Sequence, residues 1–161
     1  MSDLQRELRS SKMGEDRERV LIVDDDAAAR LALAAMIRGD DLDVAFACDG
    51  WDARSRMDAI DPDVVICDFV MDQMRGDELS SWMKSHDKWK LVPIIAVTQL
   101  ENPILYADLL GAGADSVIAK EKAPRMLRAQ LDAALRTRRE FIRRISTDTA
   151  AQPERPRLGA V

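Results

Sequence analysis

The chain has few of the residues on which several classes of protein depend. Among its 161 residues there are two cysteines, one histidine and 4% aromatic residues. A disulfide scaffold needs more cysteines than this, and the spacing of Cys48, Cys67 and His86 fits no zinc-binding motif. Both cysteines lie in apolar, strand-like stretches, so we expect two buried free thiols. We expect His86, which follows a predicted helix, to be an ordinary surface residue.

Long apolar runs are also missing. No run approaches the roughly 20 residues that span a membrane, and residues 1–18 lack the apolar segment of a secretion signal. We therefore expect a cytoplasmic protein with no membrane partner. The formal net charge of −5 gives no general reason to expect nucleic-acid binding. With 47% hydrophobic and 33% charged residues, the composition excludes general disorder and predicts a globular protein.

Short apolar stretches that are typical of buried strands alternate with segments that are typical of helices. The predicted strands are residues 20–23, 44–47, 64–67, 91–98 and 116–119, and the predicted helices are residues 27–37, 52–60, 77–85, 103–111 and 124–146. This alternation predicts a doubly wound α/β fold with a five-stranded parallel sheet and helices on both faces. We expect a charged extension over residues 1–18, one domain over 19–146, and a disordered tail over 147–161.

Polar residues stand at the carboxyl ends of four predicted strands. Asp24 and Asp25 follow the first strand, Asp68 the third, Thr98 the fourth and Lys120 the fifth. These ends meet at one edge of a parallel sheet, where ligands bind in such folds. Clustered carboxylates need a proton or a cation, and hard oxygen ligands suit Mg²⁺. With a lysine and a hydroxyl to bind phosphoryl oxygens, the pattern predicts phosphoryl transfer to Asp68; for one strand alone, an Asp that merely enters solvent is the alternative.

Four stretches together resemble the receiver domain of the two-component response regulator family over about residues 19–135. They are VLIVDDD, PDVVICDFVMDQMRG, VPIIAVT and GADSVIAK. The resemblance implies a flavodoxin-like fold with strand order 2-1-3-4-5, which the family shares with other doubly wound proteins. It also implies a phosphohistidine donor on a histidine kinase or a histidine phosphotransfer protein.

The same resemblance implies a role for each residue of the site. Asp68 resembles the phosphoacceptor, Thr98 the switch hydroxyl, and Lys120 the lysine that pairs with the phosphorylated aspartate. For Mg²⁺ the implied ligands are Asp25 directly, Asp24 largely through water, Asp68, and the backbone carbonyl of Val70.

Four positions depart from the pattern that is usual in this family. Glu121 replaces a proline after the lysine, Val117 replaces a switching Tyr or Phe, Asp72 replaces a proline, and Gln99 replaces a small residue. A cis peptide bond at Glu121 would be costly, and Val117 cannot act as an aromatic switch. Tolerated drift and altered signalling are equally good explanations of these departures.

Two further positions bear on the lifetime of a phosphoryl group. Val70 and Leu100 are apolar where the family places the residues that flank the path of the hydrolytic water. Apolar side chains cannot orient water through hydrogen bonds, so we predict a long-lived phosphoryl group.

The last predicted helix continues beyond the usual family boundary. Its apolar positions are Leu127, Leu131, Ala134, Phe141 and Ile145, with Arg138 interrupting the series. This spacing predicts a contact with a partner or with a second copy of the chain. The alternative is that the first half packs on the sheet while the remainder is a solvated basic extension. That extension contains Arg136, Arg138, Arg139, Arg143 and Arg144, but no recognised DNA-binding module follows, so nucleic acid is the weaker interpretation.

Together these features predict a single-domain response regulator that signals by phosphorylation-dependent partner binding or dimerisation. It would catalyse only its own phosphorylation and dephosphorylation. The alternative is a phosphate shuttle or sink in a phosphorelay. A degenerate receiver that works without phosphorylation is disfavoured, because all five site residues are present.

Overall fold

The computed structural model describes residues 17–71, 73–99 and 102–150, with side chains up to residue 145. Five parallel strands form one sheet in the order β2-β1-β3-β4-β5. The strands are β1 (Glu18–Val23), β2 (Leu42–Ala47), β3 (Val64–Asp68), β4 (Ile94–Thr98) and β5 (Ser116–Ala119). The helices are α1 (Ala27–Met36), α2 (Gly50–Ile60), α3 (Gly76–Ser85), α4 (Pro103–Gly111) and α5 (Ala123–Ala150). The predicted fold class and strand order are confirmed.

Most predicted boundaries lie within two residues of those observed, and side-chain caps explain two of the helix starts. Asp26 caps α1, accepting hydrogen bonds from the amides of Ala28 and Ala29, and Asn102 caps α4 with Pro103 in its first turn. Two boundaries differ by more: β4 begins at Ile94, three residues after the predicted start at residue 91, and α5 runs to Ala150, four residues past the predicted end at residue 146. The predicted extension before residue 17 and the predicted tail beyond residue 150 lie outside the described residues.

The three central strands, β1 from Val20 onward, β3 and β4, are buried on both faces, and the helices cover the sheet with two apolar layers. On one side, α1 and α5 contribute Leu33, Ile37, Leu127, Leu131 and Leu135. On the other side, α2 and α3 contribute Ala53, Met57, Leu79 and Met83. Because all strand pairs are parallel, the carboxyl ends of the strands lie at one edge of the sheet and the amino ends at the opposite edge.

One cysteine differs from the prediction. Cys67 is buried in β3 as expected, but Cys48 is exposed, because β2 ends at Ala47 and the chain leaves the sheet there. Both thiols are free, and His86 is exposed as predicted. Within the described ranges, no helix combines the length and apolar character that a membrane span requires.

The second half of α5 is fastened to the domain by ion pairs. Arg138 Nη1 lies 2.7 Å from Asp63 Oδ1, and Arg139 Nε lies 3.3 Å from Glu18 Oε1. The sequence pattern treats Arg138 as an interruption of an apolar series, whereas the structure shows it holding the helix against the loop before β3. The first half of α5 is buried through Leu135, and beyond it Phe141 and Ile145 are 45% and 47% exposed. The structure thus agrees with the alternative prediction that the first half of the helix packs on the sheet.

Candidate functional site

The carboxyl edge of the sheet brings together acidic and basic side chains from the residue after β1, the last residue of β3 and the residue after β5. Asp24 is fully buried and Asp68 is 6% exposed. The Nζ atom of Lys120 lies 3.0 Å from Asp24 Oδ2 and 3.2 Å from Asp68 Oδ2. One ammonium group is therefore shared between two buried carboxylates, which are the groups that most need a neighbouring positive charge.

A third carboxylate completes an oxygen-rich cluster. One oxygen from each of Asp24, Asp25 and Asp68 lies within 4.8 Å of the other two. These hard anionic donors, two of them buried and one exposed, suit a divalent cation such as Mg²⁺, which keeps part of its water shell. The cluster opens into a cavity of about 310 Å³, lined by Asp24, Asp25, Asp26, Asp68, Val70, Gln99 and Lys120.

The electrostatics of the site follow from this burial. Removal from water raises the pKa of Asp68, and the charge of Asp24 adds to the rise, while the Val70 amide and Lys120 act against it. For Lys120, burial alone would lower the pKa, but its contacts with Asp24 and Asp68 outweigh burial and the pKa is raised. Lys120 is therefore a firmly charged cation, and Asp68 is a carboxylate whose ionised form a second cation would stabilise.

Backbone and side-chain donors fix the orientation of the two buried carboxylates. The amide of Asp26 donates to Asp24 Oδ1 at 2.9 Å, and the amide of Val70 donates to Asp68 Oδ1 at 3.1 Å. Arg30, one turn into α1, donates from Nη1 to the carbonyl oxygen of Asp24 at 2.6 Å. Sequence reasoning missed Arg30, and its position on the first turns of the helix after the acidic strand end is the signal that would have found it.

Two glycines that the sequence does not mark as functional allow the loop after Asp68 to lie close against the starts of α2 and α3. A Cβ atom on Gly76 would lie 2.6 Å from the carbonyl oxygen of Asp68 and 2.8 Å from Phe69 Cα. At the other end of the loop, the Gly50 amide donates to the Met74 carbonyl at 3.2 Å, and a Cβ there would strike the same carbonyl. The backbone that carries Asp68 and Val70 is therefore seated against two helix starts.

Most predicted site residues line the cavity, but Thr98 is not among the lining residues. Five of the predicted site residues line the cavity: Asp24, Asp25, Asp68, Val70 and Lys120. Thr98 is fully buried at the end of β4, and its carbonyl accepts a hydrogen bond from the Lys120 amide at 2.7 Å. Among the described residues at the end of β4, it is the exposed Gln99 that lines the cavity.

The other departures from the family pattern are placed as follows. Val117 is half-buried in β5 and Glu121 is exposed after Lys120. All described peptide bonds are trans, including the bond that joins Lys120 to Glu121. Asp72 and Leu100 lie outside the described residues.

A sequence model of the response regulator receiver domain matches residues 20–132, which is most of the chain. The chain belongs to the response regulator receiver family. One curated relative is the DNA-binding response regulator MtrA of Mycobacterium tuberculosis (strain H37Rv), with 32% identity over 120 residues. That match covers 74% of this chain and 51% of MtrA. The chain therefore spans about half the length of the curated relatives it matches.

Solved receiver domains share the fold. The chemotaxis response regulator CheY4 of Vibrio cholerae superposes with a TM-score of 0.67 at 25% identity, over 73% of this chain and 98% of CheY4. The receiver domain of Klebsiella pneumoniae RstA gives a TM-score of 0.68 at 27% identity, over 74% of this chain and 99% of that domain. Receiver domains are signalling domains that interact with histidine kinases, and phosphorylation and Mg²⁺ binding at an acidic pocket are typical of them.

Proposed function

We propose that this domain accepts a phosphoryl group on Asp68 from a phosphohistidine of a histidine kinase or a histidine phosphotransfer protein. Phosphorylation then changes its association with a partner protein or with a second copy of the chain. The convergence of three carboxylates with Lys120 in one cavity at the carboxyl edge of the sheet carries this proposal. The Mg²⁺ ligands are Asp24, Asp25, Asp68 and the backbone carbonyl of Val70, all from residues that line the cavity.

The residues divide the work of the transfer. A carboxylate oxygen of Asp68 forms a bond to phosphorus while the bond from phosphorus to the histidine nitrogen of the donor breaks, and the product is an acyl phosphate. When bound, Mg²⁺ supplies positive charge for the phosphoryl oxygens. The Lys120 ammonium, already within 3.2 Å of Asp68, donates to one of those oxygens and stabilises the charge that develops there.

Lys120 also connects the site to α5. It stands directly after β5, and the amide of Ala123, the first residue of α5, donates to its carbonyl at 3.3 Å. When the acyl phosphate attracts the Lys120 ammonium, the movement of Lys120 is transmitted through this short connection to the start of α5. Because Val117 offers no aromatic ring to move, we place the change in association at the start of α5.

Sizing chromatography tests the change in association. The wild type is run with and without beryllofluoride, a mimic of the phosphoryl group, in the presence of Mg²⁺, and Asp68→Asn is run as the matched control. We expect the elution of the wild type to change and that of Asp68→Asn to stay constant, because the mimic needs the Asp68 carboxylate. An unchanged wild-type profile excludes phosphorylation-driven dimerisation and restricts the output to binding of another protein.

The phosphoryl lifetime distinguishes a switch from a phosphate sink. Val70 lines the cavity and is 55% exposed, and its side chain cannot hydrogen-bond an attacking water. We expect the acyl phosphate to persist for minutes or longer in Mg²⁺ buffer and Val70→Asn to shorten its life several-fold, measured by quenched time points and intact mass. Decay of the wild type within seconds would contradict the prediction and favour the sink; rapid return of the phosphoryl group to a phosphotransfer histidine would favour the shuttle. Leu100, the other apolar position, is outside the described residues.

The single-domain character and the cytoplasmic location stay predictions from the sequence. The curated relatives are about twice as long as the matched region, and those named MtrA are DNA-binding regulators. We propose protein partners rather than nucleic acid for this chain, since its formal net charge is −5.

A further inference from the structure

A second cavity lies at the opposite edge of the sheet from Asp68. We call it the α5 groove; it is bounded by the segment before β4, the start of β5 and the second half of α5. Its volume is about 520 Å³, and none of the proposed phosphorylation-site residues lines it. The lining includes Leu91, Pro93, Ala133, Thr137, Phe141 and Ile142. This volume lies within the range of about 300–1,000 Å³ that is usual for ligand sites.

The floor of the α5 groove is apolar and open to solvent. Leu91, before β4, is 54% exposed and Phe141, on α5, is 45% exposed, and Ala133 of α5 also lines the groove. Large apolar side chains that are exposed together and bordered by polar residues mark sites of interaction. The ion pair between Arg138 and Asp63 holds the helical wall of the groove in place, so the surface exists before anything binds.

The border of the α5 groove is basic. Lys84 is committed to the fold, because it donates to Asp115 at 3.0 Å and to the carbonyl of Val92 at 3.2 Å. Lys88 and Lys90 also line the groove and contact Asp58 and Asp87, at 2.8 Å and 2.7 Å.

The carboxylate partners of Lys88 and Lys90 are easily replaced by other carboxylates. The side chains of Asp58 and Asp87 are 86% and 97% exposed, so their pairs with Lys88 and Lys90 are surface pairs that contribute little. Each ammonium has three donors, and a carboxylate that arrives with apolar contacts can replace a solvated partner.

A second copy of the chain is a poor occupant of this surface. The end of α5 next to the groove carries three arginines, Arg139, Arg143 and Arg144, and one acidic residue, Glu140. A second copy placing its own α5 end in the groove would bring these arginines toward Lys88 and Lys90. Like charges that face each other across an interface are unfavourable, whereas acidic residues would find complementary charge.

We propose that the α5 groove binds a short acidic segment of a partner protein, with one or two large apolar side chains on the groove floor and carboxylates against Lys88 and Lys90. The groove lies at the amino edge of the sheet and Asp68 at the carboxyl edge, so this binding does not require phosphorylation. It gives the domain a constant attachment to a partner, separate from the phosphorylation-dependent association proposed above.

Peptide pools of defined composition test the chemistry of the occupant. The acidic apolar pool has 16-residue fluorescein-labelled peptides with Leu or Phe at every fourth position and Asp or Glu between. One control pool replaces the acidic residues with Lys and Arg, and the other replaces Leu and Phe with Ser. By fluorescence anisotropy with the full chain, we expect the acidic apolar pool to bind at least about tenfold more tightly than either control. Equal binding of the acidic apolar pool and either control pool would overturn the proposal.

Matched variants locate the binding. Lys88→Glu combined with Lys90→Glu is expected to weaken binding about tenfold, because two attractive contacts become repulsive. Arg38→Glu combined with Arg125→Glu makes the same change of charge at exposed residues that do not line the groove, and should leave the affinity within about twofold. An equal loss in both double variants would show a general charge effect and would overturn the proposal.

The apolar contact has its own pair of variants. Phe141→Ser should weaken binding, whereas Leu31→Ser, at a 65% exposed residue of α1, should not. Amide chemical shifts of the wild type on addition of the acidic apolar pool should change at Leu91, Ser116 and Thr137, and this measurement does not depend on whether any variant folds. Shifts confined to other surfaces would overturn the proposal, and so would a dimer in sedimentation that Phe141→Ser dissociates.

The phosphorylation-dependent association and the binding at the α5 groove can be tested separately. Binding of the acidic apolar pool should be the same for Asp68→Asn as for the wild type, and beryllofluoride should change it by less than about twofold. A strict requirement for the phosphoryl mimic would contradict the proposed constant attachment while leaving phosphorylation of Asp68 intact.

Discussion

Replacing Asp68 with asparagine is expected to abolish phosphoryl uptake and, in metal-free buffer, to raise the free energy of unfolding by about 0.5–2 kcal/mol. An amide cannot form the acyl phosphate. It also carries no charge, so the variant no longer holds an ionised group that is 6% exposed and shares one ammonium with Asp24. In the variant, the Lys120 ammonium compensates the charge of one buried carboxylate, Asp24, instead of two. The same substitution thus removes the function and raises the stability, which is the trade-off expected of a functional carboxylate.

The gain in stability of Asp68→Asn over the wild type should depend on pH in a defined direction. Burial raises the pKa of Asp68 in the folded protein, so the folded state binds a proton more readily than the unfolded state does. A raised carboxyl pKa gives stability that is fully present below the unfolded-state pKa and is lost as the pH rises through the folded-state pKa. The wild type therefore recovers stability as the pH falls, and the advantage of Asp68→Asn should shrink toward acid.

Chemical denaturation in chelator and intact mass after incubation with phosphoramidate and Mg²⁺ measure the two effects. Asp87→Asn is the matched control, because it makes the same chemical change at a side chain that is 97% exposed. The control should take up the phosphoryl group and should keep its unfolding free energy within about 0.5 kcal/mol of the wild type. Phosphoryl uptake by Asp68→Asn would show that another residue is the acceptor, and a loss of stability would show that the Asp68 carboxylate is a net stabilising group.

The sequence was sufficient for the fold because its strands are nearly pure apolar runs. Val20 to Val23 and Val64 to Cys67 are fully buried, and such runs, when they alternate with helical segments, are typical of a parallel sheet covered on both faces. The carboxyl-edge cluster follows directly, since every parallel strand delivers its last residue to the same edge. Asp24, Asp25, Asp68 and Lys120 could therefore be brought together without any coordinates.

Features that depend on side-chain direction or on distant contacts could not be predicted in this way. A hydroxyl at a strand end looks available in the sequence, but Thr98 is fully buried at the end of β4, and the next residue, Gln99, lines the cavity. Periodicity along α5 treats Arg138 as a break, because the partner that explains it, Asp63, lies 75 residues away. Cys48 was expected to be buried because it directly follows an apolar strand, but it lies one residue beyond the end of β2 and is exposed.

Gly76→Ala is expected to destabilise the protein by about 1–3 kcal/mol and to weaken Mg²⁺ binding. The added methyl group would lie 2.6 Å from the Asp68 carbonyl oxygen, 2.8 Å from Phe69 Cα and 2.9 Å from Phe69 Cδ2. Two of these three neighbours are backbone atoms, so a change of side-chain rotamer cannot relieve the contact. The chain between Asp68 and Val70 must move, and it carries two of the proposed metal ligands.

Gly111→Ala is the matched control for that prediction. Gly111 is the last residue of α4, is exposed, and has no atom within 4 Å of the position its Cβ would take. The same substitution there should be neutral or should stabilise by up to about 1 kcal/mol, since alanine restricts the unfolded chain. Denaturation midpoints and calorimetric Mg²⁺ titrations of the two variants separate close packing at Gly76 from a general effect of losing a glycine. If Gly76→Ala binds Mg²⁺ like the wild type, the seating of the loop against α3 does not position the metal ligands, and the hydrogen bonds from Asp26 and Val70 to the carboxylates are sufficient to hold the site.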